Sequence, residues 1–337
     1  MIPLSISLAH APLKERPALA AAADASGFRT IWTEDGDAFV IVGLLAAHIK
    51  RARLGTGIAR AFARSTLMTA TAAANMHEIM DGRFVLGLGT GTKRQNLYQL
   101  GQEYSHPASR VQALCEALRS TWGADPSEPL HIDDGFQTLR FDELALQRAH
   151  CESAPPIFLA AVNDFMLRTA GRTCDGLCGH MCFSAQYLKS VVAPAIENGL
   201  AERNRKRSSF LFTSWVITSI DDDVRVARRR AAYQLAYYFS TKSYGDILTW
   251  HGLHGVQAKI RQALFEERDW EKAADAVPPE MIEIFALAGT ANDCIDQVAR
   301  YEGALDELVL YSHAAGPARS DSTANLWRII RAFGQAG

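Results

Sequence analysis

Eight short runs of β-forming residues recur along this chain, and a helical pattern follows most of them. The runs are 2–8, FRTIW (28–32), ARLGTGI (52–58), RFVLGLG (83–89), PIFLAA (156–161), GLCGHM (176–181), FLFTSWVIT (210–218) and LDELVLY (305–311). Apolar residues at helical spacing fill Arg16–Ser26, Phe39–Lys50, Ser65–Met80, Pro107–Trp122, Asp164–Thr173 and Ala185–Arg203. Strand followed by helix, eight times over, predicts an α/β fold: a (βα)8 TIM barrel, with an open doubly wound sheet as the competing layout.

Two regions interrupt the alternation. Residues 129–141 form a hairpin pattern with Asp134-Gly135 at its turn. Residues 221–287 have a helical pattern throughout and predict a helical insertion between strands 7 and 8, with no strand inside it. Asp221-Asp222-Asp223 suits a helix N-terminus, and Arg228 to Arg230 lie on its solvated face. The basic run Arg203 to Arg207 reads as the exposed end of the helix after strand 6. No repeat, low-complexity tract or linker divides the chain, so 1–337 is expected to be one domain.

A length of 337 residues with 48% hydrophobic content supplies a sizeable core. A net charge of −2 gives no electrostatic case for nucleic acid or an anionic membrane. No apolar run approaches the ~20 residues of a membrane span. The N-terminal segment lacks the basic start and cleavage site of a signal peptide. Six cysteines in so long a chain are not a disulfide scaffold, and a reducing cytoplasm is expected.

Barrel enzymes carry their chemistry at the C-terminal ends of the strands. Here those ends hold His10, Glu34-Asp35, Gly57-Ile58-Ala59-Arg60, Gly89-Thr90-Gly91, Ala160-Ala161-Val162-Asn163, His180 and Thr218. There is no metal site of usual spacing. If strand 2 continues, at most one of Glu34 and Asp35 faces the mouth. If both lie in the loop, their repulsion raises one pKa and suits acid–base work. An exposed acidic loop capping the next helix is the plainer reading. His180 is either a structural residue or a proton shuttle, and His77, inside a helix, is structural or on the surface. Cys174, Cys178 and Cys182 miss the iron–sulfur spacing and read as small buried hydrophobes. The loop RFVLGLGTGTKRQN fits neither G-x-G-x-x-G nor a P-loop.

The segments GFRTIWTED, RARLGTGIARAFARS, DGRFVLGLGTGT, FMLRTAGRTCDGLCGH and LAGTANDCIDQVARYEGALDELVLY together resemble the luciferase-like flavin and deazaflavin oxidoreductases. With SHPASR at 105–110 and the helical insertion, the chain is most similar to the actinobacterial branch that uses coenzyme F-420. The resemblance implies a barrel with an insertion, a homodimer, a cofactor ring across the mouth and a non-prolyl cis peptide at Gly57-Ile58. It places Thr56, Gly57, Ile58 and Ala59 after strand 3 against the ring. It places Gly89, Thr90 and Gly91 in the cofactor loop, with Thr92, Arg94, Gln95 and Asn96 as further donors. Arg94 and Arg64 are candidate anion partners, and the resemblance puts Ala160, Ala161, Val162 and Asn163 near the cofactor phosphate. Two departures stand out: Asp35 occupies a slot where many members have histidine, and Asn163-Asp164 replaces a usual Gly-Pro.

The expected activity is hydride transfer between F-420 and a small organic substrate. Asp35 or Glu34 is the expected proton-handling group, with His180 and His10 as alternatives. Two other readings stand beside it: an FMN-dependent monooxygenase supplied by a separate reductase, and a non-catalytic barrel kept as a binding subunit. Trp215, Tyr237, Tyr238 and Trp250 either line the substrate pocket or pack in the core.

Overall fold

The computed structural model describes residues 2–34, 36–125, 128–141, 149 and 151–334. Eight parallel strands close into a barrel: β1 (Leu4–Ser7), β2 (Thr30–Thr33), β3 (Arg53–Thr56), β5 (Phe84–Gly89), β8 (Ile157–Ala160), β9 (Gly176–Gly179), β10 (Leu211–Ile220) and β12 (Glu307–Ser312). Closure is carried by β12 pairing with β1, with Ser7 opposite Tyr311, and by β10 pairing with both β9 and β12. A two-residue segment, β4 (Ala59–Arg60), continues from β3 and pairs with the end of β5. The barrel helices include α1 (Arg16–Ala25), α2 (Ala38–Ala46), α3 (Thr66–Ile79), α4 (Lys93–Tyr98), α5 (Pro107–Gly123) and α6 (Asp164–Thr173). After β9, α7 (Ala185–Tyr187) continues through a π turn into α8 (Ala193–Ala201).

The interior is filled by large aromatics standing on bare backbone. Trp32 meets Phe158 and Trp215 at ring-centroid distances of 5.8 and 5.0 Å. These three residues sit on β2, β8 and β10, which are not neighbours in the sheet, so they meet across the barrel. Room for them comes from glycine: a Cβ on Gly55 would fall 2.5 Å from the Trp32 ring, and one on Gly176 2.6 Å from Phe158. At the N-terminal end, Glu307 is 1% exposed and accepts from Ser5 Oγ at 2.5 Å and from Arg53. That ion pair ties β1, β3 and β12 together through the interior.

The insertion begins with α9 (Val224–Phe239), capped by the Asp223 carboxylate accepting from the Arg225 amide. The acidic start read from sequence is therefore a helix cap. Arg228 reaches Glu283, Arg229 reaches Glu271 and Asp275, and Arg230 reaches Asp221 and Asp321. One expectation is corrected: the helical pattern does not run unbroken through residue 287. Ala286–Gly289 form a strand, β11, on the edge of β10 that β9 leaves vacant beyond Ser214. Its residues are small and wholly buried, so a helix-like apolar pattern and a buried strand look alike there. Residues 130–133 (β6) and 138–141 (β7) form the expected hairpin, with Asp134 accepting from the amides of Phe136 and Gln137.

Candidate active site at the barrel mouth

The wall formed by β3 and β5 opens where the two strands part. The Thr56 hydroxyl fills the gap, donating to the Gly87 carbonyl at 2.8 Å and accepting from the Gly87 amide at 2.9 Å. The Gly57-Ile58 peptide is cis, as the family resemblance implied. Beyond it the chain swings to Ala59–Arg60 and packs the Ile58 side chain over Gly89: a Cβ on Gly89 would lie 2.6 Å from Ile58 Cδ1 and 3.3 Å from Ala160 Cβ. Trp215 backs Gly57, whose Cβ would meet the indole at 2.9 Å. The result is a rim of backbone and aliphatic surface over an aromatic floor.

The glycine loop after β5 is held from outside. Asn96, fully buried, donates to the carbonyls of Thr90 (2.7 Å) and Thr92 (3.0 Å), and the Tyr104 hydroxyl donates to the Gly91 carbonyl at 3.2 Å. Thr92 and Gln95 form a reciprocal cap on α4, and Arg60 donates to Gln95 Oε1 at 2.9 Å. Gly91 has φ +67°, and a Cβ there would touch the Arg60 guanidinium at 2.9 Å. Gln95 and Asn96 therefore shape the loop, and the amides of Thr90 and Gly91 donate to no backbone acceptor among the described residues. Arg94 is exposed on α4, while Arg64 pairs with Asp37 and lies over the Phe39 ring.

After β8, Ala161 is buried, Ala160 and Val162 are half-buried, and Asn163 caps α6 by accepting from the Met166 amide at 2.9 Å. The Asp164 carboxylate is drawn along the helix to Arg168, 2.9 Å away, which offsets its charge at the helix N-terminus.

A polar cluster lines the same mouth. Glu34 lies two residues beyond inward-facing Trp32, so it projects into the mouth; its Oε1 is 3.5 Å from His10 Nε2. Buried Arg16 pins this turn by donating to Thr33 Oγ1 and to the Glu34 carbonyl, each at 3.0 Å. His10 has φ +65°, and its Nε2 is 2.6 Å from the Tyr311 hydroxyl. That hydroxyl also accepts from Tyr238 on α9 at 2.8 Å. Asp35 lies outside the described residues.

His180, after β9, is packed between Tyr238 (5.1 Å, edge-on) and Tyr244 (4.3 Å). The Cys182 amide donates to its Nδ1 at 3.1 Å, so the ring proton sits on Nε2. Burial pushes its pKa down to about 3. His180 is thus a neutral hydrogen-bond donor rather than a base acting through Nδ1.

Other residues singled out from sequence fall elsewhere. β10 runs on to Ile220, and Asn325 of the C-terminal helix donates to the Thr218 carbonyl, so Thr218 is part of the strand and not of its open end. His77 is buried with Nδ1 3.2 Å from the Phe84 carbonyl. Cys174, Cys178 and Cys182 are buried. Tyr237 is 52% exposed, and Trp250 lies edge-on to Tyr187. Tyr311, Tyr244 and Arg16 were not singled out. Tyr311 was detectable as an aromatic near the end of the last barrel strand.

Two clefts open near the surface. One of about 350 Å³ lies between Phe62, Arg64, Arg110 and Gln137, beside the stretch that follows β4. The other, about 500 Å³, lies along α9 by Arg225, Arg229 and Arg230, each of which is already paired with a carboxylate. Neither holds the convergent polar groups of the mouth.

The residues present fit a flat ring. Ile58 covers Gly89 and Trp215 backs Gly57, so the rim offers an aliphatic surface; the amides at Thr90 and Gly91 can meet acceptors on a ring edge, and the first turn of α6 can meet an anion. These features define a TIM-barrel protein with a glycine-opened, acid- and histidine-bearing mouth.

Comparison with known proteins then places it. The family model for luciferase-like monooxygenases matches residues 3–307, and the chain belongs to that family. It is 31% identical over 305 residues to an uncharacterised protein of Mycobacterium tuberculosis, covering 86% of this chain and 89% of that one. It is 28% identical to a 5,10-methylenetetrahydromethanopterin reductase of Archaeoglobus fulgidus, covering 89% and 90%. The structure of the coenzyme F-420-dependent tetrahydromethanopterin reductase of Methanopyrus kandleri superposes with a TM-score of 0.81 at 22% identity, covering 99% and 97%. Among the described residues no helix is long and apolar enough to cross a membrane.

Proposed function

We propose that this protein is an oxidoreductase that moves a hydride between coenzyme F-420 and a small organic substrate at the barrel mouth. The observation that carries this reading is that His10 and Glu34, just beyond β1 and β2, form a close pair at the same end of the barrel as Gly57, Ile58 and Gly89. When bound, the deazaflavin supplies or accepts a hydride at carbon, without oxygen activation.

Gly57, Ile58, Ala59, Gly89, Thr90 and Gly91 would hold the ring, and Ala160 to Asn163 with the first turn of α6 would meet the phosphate. Trp32 and Trp215 exclude water from beneath. Glu34 and His10 hold a proton for the substrate heteroatom, and His180 offers its Nε2 proton as a hydrogen bond. Of the two adjacent acids weighed from sequence, Glu34 lies among the described residues and its contact with His10 supports this role for it; Asp35 lies outside them.

A second reading, reduced FMN with oxygen and a separate reductase, is supported by the family's description as monooxygenases. Fluorescence titration with F-420 and FMN decides between them: tighter binding of F-420 is expected. Preference for FMN with oxygen consumption would favour the second reading. Binding of neither would favour a non-catalytic barrel.

The same reading includes a homodimer. α2, AFVIVGLLA, has no polar side chain, yet exposes Val40 (67%) and Leu44 (43%). Sedimentation at micromolar concentration should give twice the 36.9 kDa chain mass.

A further inference from the structure

We propose that Tyr311 is a proton-relay residue, linking the His10–Glu34 pair to Tyr238 on α9. The inference rests on the oxidoreductase reading above. Tyr311 is 1% exposed, near the end of β12. A buried phenol needs one hydrogen-bond partner, and any nearby carbonyl would serve. Among its partners here are two groups that exchange protons: His10 Nε2 at 2.6 Å and the Tyr238 hydroxyl at 2.8 Å.

The chain has a direction. Tyr238 donates to Tyr311, and the Tyr311 hydroxyl lies 2.6 Å from His10 Nε2, which can take its proton. Glu34 Oε1 lies 3.5 Å from the same nitrogen. At its other end Tyr238 is half-buried, with its ring 5.3 Å from that of Tyr237, which is 52% exposed. The relay thus runs from Tyr238, on α9, to the acid pair.

In the reduction of a C=N or C=O group, the carbon takes the hydride and the heteroatom takes one proton from the His10–Glu34 pair. The Tyr311 proton then passes to His10 Nε2, the Tyr238 proton passes to Tyr311, and Tyr238 recovers one from water. One proton enters for each that leaves, and no protein group changes oxidation state. The insertion then does more than shape the pocket, since it carries the far end of the relay.

The test uses Tyr311→Phe and Tyr238→Phe, which remove one hydroxyl each and keep the rings. In the cofactor-free protein, ¹⁵N-histidine spectra should show the His10 Nε2 signal moving in both variants, although Tyr238 is one residue removed from the imidazole. A His10 signal that moves with Tyr311→Phe but not with Tyr238→Phe overturns the relay. During turnover each variant should lose roughly tenfold or more in kcat with KM little changed, and added imidazole should restore part of the loss without affecting wild type. Unchanged kcat, or a loss confined to KM, also overturns it. Failure of wild type to bind F-420 would remove the reading on which the relay rests while leaving the spectral coupling in place, so the two failures are distinguishable.

Discussion

Gly89→Ala is the sharpest perturbation of the proposed cofactor face. The new methyl would sit 2.6 Å from Ile58 Cδ1, 2.9 Å from Ile58 Cγ1 and 3.3 Å from Ala160 Cβ. Ordinary carbon contacts lie at about 3.5–4 Å, so the tip of Ile58 must retreat by roughly 1 Å. Ile58 is half-buried on the rim, so the space open to it is the place proposed for the ring. Overpacking of this kind costs about 1–3 kcal/mol. Charged to binding, that is roughly a 5- to 150-fold rise in Kd. The assay is fluorescence titration of F-420, with thermal unfolding as the control. Unfolding should change little, because a flexible side chain absorbs the clash. Gly87→Ala is the contrasting case: its Cβ would fall 1.9 Å from the Thr56 carbonyl oxygen, which is backbone, so it should damage folding itself. An unchanged Kd for Gly89→Ala in a folded protein would refute the placement of the ring against Ile58.

Glu34→Gln should leave F-420 affinity within about twofold while cutting kcat by roughly a hundredfold, the usual scale for losing a proton-transfer group; steady-state kinetics beside the titration checks it. Asn96→Ala removes two tethers of the glycine loop, leaving that from Tyr104, and should cost about 1–3 kcal/mol in denaturant unfolding, with weaker cofactor binding. Glu307→Ala leaves Arg53 without its carboxylate inside the barrel and should destabilise by roughly 3 kcal/mol, the low end for a broken buried pair because Arg53 keeps some contact with water. The depressed pKa of His180, about 3 against an ordinary 6.5, contributes stability that is full above pH 6.5 and is lost as pH falls toward 3. Wild type should therefore lose more unfolding free energy than His180→Gln between those limits, and parallel curves would contradict the assignment.

The barrel was legible because its strands and helices have distinct periods and recur in order. The Gly57-Ile58 peptide and the glycine loop followed from family resemblance, which carries local backbone features well. β11 was hidden because ALAG is short and small, although the Thr290–Asp293 cap just after it marked a new helix start. Which of Glu34 and Asp35 faces the mouth depends on the true end of β2, which strand alternation alone does not give. The Tyr238–Tyr311–His10 contacts were not legible at all: they join positions up to 301 residues apart and depend on how the insertion folds back over the mouth. Asn96 had the right chemistry for a ligand donor, but its side-chain amide donates to the Thr90 and Thr92 carbonyls instead.

The most direct measurement is a crystal structure with F-420 bound. The ring should lie against Ile58 and Gly89, with its edge toward the Thr90 and Gly91 amides and its reactive carbon open to Glu34 and His10. Density for the ring along α9 or in the cleft by Arg64 and Arg110, with the mouth closed, would contradict the account.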